Sequence, residues 1–292
     1  MTAPEIADGT VADGLVHVPS RLLRPYVSRI NGYHYAGFEP AVHMGLPSRN
    51  VTFVIAFDQP LLIGRLPDGQ GGLHTFDTCV GGFHTTPVEI HHDGNQHGMQ
   101  LDVTPAGARA LFGMPAAELA SATVTLDVLW GRRAAQLYER LATARGWPAR
   151  FAVAEHVLCQ VIAERAAPVE ISADLDMAWD RLAGTGGRID VATLAADIGW
   201  SRRHFTQRFS TEFGLGPKAM ARVMRFERSR TMLLAPPSRR PRLVDIAARC
   251  GYADQAHMTR DWQSLAGSSP TGWLASEALP ILQDEGLPDA QG

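Results

Sequence analysis

Two short runs in the carboxy-terminal third of the chain carry side chains fit to recognise nucleic-acid bases. Ser201 is followed by Arg202, Arg203, Thr206, Gln207 and Ser210, and Asp254 by Gln255, His257, Thr259, Arg260 and Gln263. An arginine can bridge O6 and N7 of guanine and a glutamine N6 and N7 of adenine, while hydroxyls bond base edges or phosphates. If Phe205, Phe209 and Phe213 face a core at i, i+4 and i+8, the first polar set lies on the opposite face of one helix. Met258 and Trp262 divide the second run in the same way, and Ser201 and Asp254 suit the N-cap of each helix. One polar helix face is ordinarily a solvated face. Two at equivalent positions point to a shared task.

The elements that must position these side chains form an internal repeat. Val191, Leu194, Ala195 and Ile198 recur 52 residues later as Leu243, Ile246, Ala247 and Cys250, an apolar stripe at i, i+3, i+4 and i+7 in both copies. Gly199-Trp200 is matched by Gly251-Tyr252, a glycine for a tight turn and an aromatic to cover it. After one inserted residue the shift is 53: Phe205 matches Met258, Phe209 matches Trp262, Gly214 matches Gly267 and Pro217 matches Pro270. Each unit reads as helix, glycine turn, helix. Lys218 to Leu234 reads as a helix joining the units, with Arg222, Arg225, Arg228 and Arg230 available to meet intervening phosphates or to pair with Glu227. Two such helices on one rigid body could enter successive major grooves, about 34 Å apart.

Charge supports the same region. The net charge of the 292 residues is -3, but residues 172–276 carry 15 basic and 10 acidic side chains, against 12 and 16 in residues 1–171. From Arg188 to Arg242 the balance is 12 to 4, a local density that attracts phosphate. Cys79, Cys159 and Cys250 are scattered, with no pair at metal-binding or disulfide-framework spacing. No stretch approaches eighteen apolar residues and the start lacks the layout of a secretory signal, so a cytoplasmic protein without membrane contact is expected.

The sequence resembles the AraC/XylS family of transcription regulators. The likeness is carried by Leu194-Ala195, Gly199-Trp200-Ser201, Phe205, Arg208-Phe209, Phe213-Gly214, Pro217, Arg225-Phe226, Ile246-Ala247, Gly251-Tyr252, Asp254, Arg260, Trp262, Gly267 and Ser269-Pro270. It implies that the helices after the two turns enter the major groove of double-stranded DNA, with activation or repression of a promoter as the result. It also implies RNA polymerase, a second copy of the chain and a small-molecule effector as further partners. The sequence departs from the family pattern in a longer loop, Ala235 to Arg242, in Met258 and Trp262 where phenylalanine is commoner, and in Leu274 for a terminal arginine. Ala256 stands opposite Arg203, so unequal contributions from the two helices are expected.

The amino-terminal region is β-rich, with strand-like runs at Arg49 to Phe57, Thr75 to Phe83, Val88 to His92 and Gly98 to Thr104, then helical at Ala108 to Phe112, Arg132 to Arg145 and Phe151 to Ala166. It resembles the sensor domains joined to such DNA-binding units in actinobacterial regulators, around Gly45-Leu46-Pro47-Ser48 and Ala106 to Leu111. Phe53, Ile55, Phe57, Phe83, His84, Ile90, Met99 and Leu101 are candidates for the wall of an effector pocket, and equally for a packed core. His84, His91 and His97 are the candidates for a metal-sensing site, weighed against ordinary structural histidines, and no cofactor is expected. A regulator with no ligand is the other alternative. No nucleophile elbow, phosphate-binding loop or zinc-protease motif occurs, so no enzymatic activity is expected.

The expected fold class is α+β: an amino-terminal β-rich barrel or sandwich with flanking helices, then an all-α domain of two helix-turn-helix units joined by a linker helix. The expected divisions are a flexible arm (1–14), a sensor and dimerisation domain (15–171), the DNA-binding domain (172–276) and an acidic flexible tail (277–292).

Overall fold

The computed structural model describes residues 10–165 and 170–276. Among the described residues, ten strands form two antiparallel sheets. The six-stranded sheet has the order β1-β2-β9-β4-β7-β10, comprising Val11–His17, Val27–Ala36, Gln96–Val103, Val51–Phe57, Thr78–Gly81 and Thr123–Thr125. The four-stranded sheet runs β3-β8-β5-β6, comprising Ala41–Gly45, Val88–His92, Leu61–Arg65 and Gly71–Phe76. The run Thr75 to Phe83 is two strands of different sheets. β1 begins at Val11, paired with Ala36 of β2, so Val11 to Gly14 are not the loose arm expected of them. Backbone pairing along an open sheet edge outweighs their small, polar composition. The acidic tail lies outside the described residues.

Side-chain parity along the central strands decides what each face meets. Phe53 of β4 is paired with Leu101 of β9 and Ile55 with Met99, so these four share one face. That face is covered by helices. The turn α1 (Pro105–Gly107) runs into a π-helical segment, Ala108–Phe112, followed by a 3-10 turn (Ala116–Leu119), α2 (Leu126–Trp130), α3 (Arg132–Thr143) and α4 (Gly146–Glu164). Phe53 sits edge-on to Phe112 and Trp130, and Phe57 lies 6.4 Å from the ring of Tyr138. The apolar stripe of α4, Phe151, Ala154, Val157, Leu158 and Val161, is buried in this same core. The opposite strand face, with Thr52, Val54, Gln100 and Asp102, looks into a cavity between the two sheets.

The remaining helices are α5 (Ala173–Gly184), α6 (Val191–Asp197), α7 (Arg202–Phe213), α8 (Pro217–Leu233), α9 (Leu243–Arg249), α10 (Gln255–Ala266) and α11 (Pro270–Ser276). The repeat is structural: α9 starts 52 residues after α6, and α10 starts 53 after α7. Gly199 and Gly251 take φ of 71° and 79°, the left-handed turn conformation that favours glycine. No described helix is long and apolar enough to cross a membrane.

Candidate nucleic-acid interface and interdomain cavity

Each recognition-type helix is built by the same local devices. The Ser201 hydroxyl accepts the His204 amide at 3.2 Å and the Asp254 carboxylate accepts the His257 amide at 2.6 Å, closing the first turns of α7 and α10. Phe205, Phe209 and Phe213 anchor α7 in the core, and Met258, Trp262 and Leu265 anchor α10. Arg202, Arg203, Thr206 and Gln207 are left exposed along one face of α7, as are Gln255 and Arg260 on α10. Thr259 is half-buried, and its hydroxyl donates to the Gln255 carbonyl at 3.0 Å. His257 departs from the expected set: its ring packs on Tyr252 and its Nδ1 accepts the Ala253 amide at 3.4 Å, which turns it back to the turn.

The linker helix α8 holds the two units together. Trp262 donates from Nε1 to Ser229 Oγ at 2.8 Å beneath Phe226, and Arg222 Nε donates to Asp261 at 2.6 Å. Arg225 donates to the Gly187 carbonyl at 3.0 Å and lies over the Tyr252 ring. Two of the four linker arginines thus fix internal geometry instead of waiting for phosphates. Burial pushes the Tyr252 hydroxyl up, out of any titrating role.

The amino-terminal domain is docked on the first unit. Arg109 donates to both carboxylate oxygens of Glu212, at 2.7 and 2.6 Å, and both side chains are largely buried. Gly214, at φ 80°, meets the 3-10 turn so closely that an added Cβ would lie 2.3 Å from the Cβ of Ala120. Trp179 of α5 is wedged between Phe83 and Phe213, with ring centroids 5.6 and 4.5 Å away.

Beside this contact lies a cavity of about 1370 Å³, lined by both sheets and by α8. Of the expected wall residues it takes in only His84 and Ile90. Phe53, Ile55, Phe57, Met99 and Leu101 face the helices, and Phe83 belongs to the domain contact. The correction has a simple cause: the more apolar strand face is buried against amphipathic helices, leaving the more polar face to the cavity. The rest of the cavity lining, which the sequence did not single out as pocket wall, includes Tyr33, His43, Gln100, Asp102, Arg49, Arg188, Arg228, Arg230 and Arg249. The alternating polar set Gln96, Gln100 and Asp102 on β9 was the available signal, since it could not share a core with Met99 and Leu101.

The candidate metal-site histidines do not converge. His84 Nδ1 lies 2.6 Å from the Thr86 carbonyl oxygen, His97 sits between Asp58 and Arg150 on the helix side of the sheet, and no described group of three potential ligands is placed to hold a metal. Burial pulls the pKa of His84 and His97 down, in His97 against the opposing pull of Asp58.

A domain of paired helix-turn-helix units with two exposed polar helices on one rigid frame defines a DNA-binding protein. Residues 194–276 match the family model of a helix-turn-helix domain, and this domain is of the AraC type found in transcription regulators. No curated protein matches the sequence. Among solved structures, a lysine-to-alanine variant of apo ToxT from Vibrio cholerae is 9% identical, with a TM-score of 0.53 and 86% of this chain and 97% of that chain covered. Wild-type ToxT from the same organism with bound unsaturated fatty acid is 10% identical, with a TM-score of 0.51 and coverages of 87% and 96%. The DNA-binding domain of the global transcriptional factor AdpA, in complex with target DNA, is 27% identical over 36% of this chain and 93% of that one, with a TM-score of 0.32. The likeness to ToxT is one of fold: a β-rich amino-terminal domain followed by the helical region.

Proposed function

We propose that this chain is an effector-responsive transcription regulator that reads its operator with α7 and α10 and takes a small molecule into the cavity between its sheets and α8. The observation that carries the DNA half is the recurrence of a capped, core-anchored helix with an exposed Arg/Gln face on both sides of one rigid linker. The effector half is supported by a cavity whose wall is shared between the sheets and the linker, so that a ligand touches both domains. The similarly folded ToxT has been crystallised with an unsaturated fatty acid.

Selection of the full chain on randomised duplex DNA should enrich one sequence family, bound with a steep salt dependence. An operator with two symmetric half-sites would report pairing of two copies. Enrichment of no sequence would refute the reading.

A further inference from the structure

The two helix-turn-helix units share a frame but carry their charge in different places. Residues 186–198, which lead into α6 and include it, hold one arginine and two aspartates, whereas residues 238–250, 52 positions on, hold four arginines and one aspartate. In the helices that follow, the bias reverses. From Ser201 to Gly214 there are three arginines and one glutamate, and from Asp254 to Gly267 one arginine and two aspartates. Asp190, whose carboxylate caps α6, has Arg242 at its repeat position before α9. Both units face the same polyanion, and in the second the positive charge sits ahead of the first helix instead of on the recognition helix.

The segment that carries this charge is built as a loop. The connection from α8 to α9 has nine residues where that from α5 to α6 has six. Pro236, Pro237 and Pro241 fix φ along it. The Arg239 amide donates to the Pro236 carbonyl at 2.8 Å and Arg240 Nε to the Ala235 carbonyl at 3.2 Å, which closes the loop on itself. Pro236 to Arg239 are exposed, and the Arg239 side chain has no hydrogen-bond or ion-pair partner among the described residues. Arg242, with its side chain 82% exposed, pairs with Asp245 at 2.9 Å, a surface contact that exchanges readily for another anion. Arg249 lines the cavity and Arg240 ties the loop, so Arg239 and Arg242 are the cations offered to solvent.

α9 is the first helix of its unit, the one that crosses the backbone when the second helix occupies the major groove. Its seven residues span about 10 Å against a groove about 12 Å wide, which sets its start beside the phosphates at the border of the groove that α10 enters. We propose that the loop Ala235 to Arg242 is a clamp for the DNA backbone, in which Arg239 and Arg242 bind these bordering phosphates and Arg242 leaves Asp245 to do so. The second unit is held by its loop and reads bases with a helix of little net charge. In the first, one helix does both. The inference rests on α7 and α10 being the DNA-reading helices.

The test uses the full chain, a duplex enriched by selection on randomised DNA, and a scrambled duplex of equal length. Arg239→Ala combined with Arg242→Ala should weaken binding of both duplexes by about the same factor, on the order of tenfold near 0.1 M salt. The slope of log affinity against log salt should shrink by about two. Lysine at both positions should restore most of that slope, since a phosphate accepts either cation, which separates lost charge from a disturbed fold. Unchanged slope and affinity in the double alanine variant overturn the clamp while α7 and α10 remain the reading helices. So does unchanged affinity joined to lost promoter-dependent transcription, which would give the loop to an acidic protein surface. A loss confined to the enriched duplex would make the two arginines base readers and also overturns the clamp. Failure of the unmodified chain to enrich any sequence overturns the reading helices and the clamp together.

Discussion

At the residue scale, His43 shows how one buried side chain can link the cavity to solution conditions. Burial, with His92 5.8 Å away ring to ring, pushes its pKa down to about 4, against 6.5 for the free side chain. Above pH 6.5 neither the folded nor the unfolded chain protonates this imidazole, and its contribution to stability is complete. As the pH falls from 6.5 toward about 4, only the unfolded chain takes up the proton, so stability drops. His92, whose pKa is also lowered by burial, adds in the same direction. The melting temperature should therefore fall across that window. His43→Phe should flatten the fall, and an unchanged slope would show that the group is protonated in the folded chain.

At the scale of elements, α7 and α10 are equivalent in frame and unequal in chemistry. Both are capped by an oxygen at the preceding residue and ended by a left-handed glycine, Gly214 or Gly267. Yet α7 offers Arg202 and Arg203 where α10 offers Gln255 and Ala256, and His257 is taken up by Tyr252. Arg203 and Arg260 are both exposed on these helices. Alanine at either should cost about 1 to 3 kcal/mol of operator affinity and relax preference at one base pair, with the α7 variant losing more. Competition titrations against operators changed one base pair at a time measure this. A uniform loss across all sequences would identify a phosphate contact instead.

At the scale of the whole molecule, the amino-terminal domain grips the first helix-turn-helix unit directly. The bidentate Arg109–Glu212 pair lies at the end of α7, next to the close approach of Gly214 to the 3-10 turn. Hydrogen bonding to Glu212 raises the Arg109 pKa, so the guanidinium is charged at any working pH. Arg109→Met leaves the Glu212 carboxylate largely buried and unpaired, at a cost of about 3 kcal/mol. Chemical denaturation should show the loss, and proteolysis between the domains should quicken. Adding Glu212→Leu should restore much of the stability, because no charge then remains buried. If the single variant is as stable as the parent, the domain contact is not held by this pair.

The sequence by itself determined the carboxy-terminal half of this picture. Periodicity, glycine turns, caps and the 52-residue repeat are local signals, and α6 to α10 follow them because each helix buries its own stripe against immediate neighbours in the chain. Local signals also marked β4, β8 and β9. Only the tertiary structure decided which strand face would be core and which would line a cavity. Strand alternation gives two faces without naming the partner of either, and the helices that claim Phe53, Ile55 and Met99 come later in the chain. The hydrogen bonds from Ser48 and the Arg49 amide to Glu227 join residues 178 to 179 positions apart, and no local pattern encodes such a meeting. The same holds for Arg109 and Glu212, 103 positions apart: each reads as an ordinary surface charge until the packing of two domains removes the water between them.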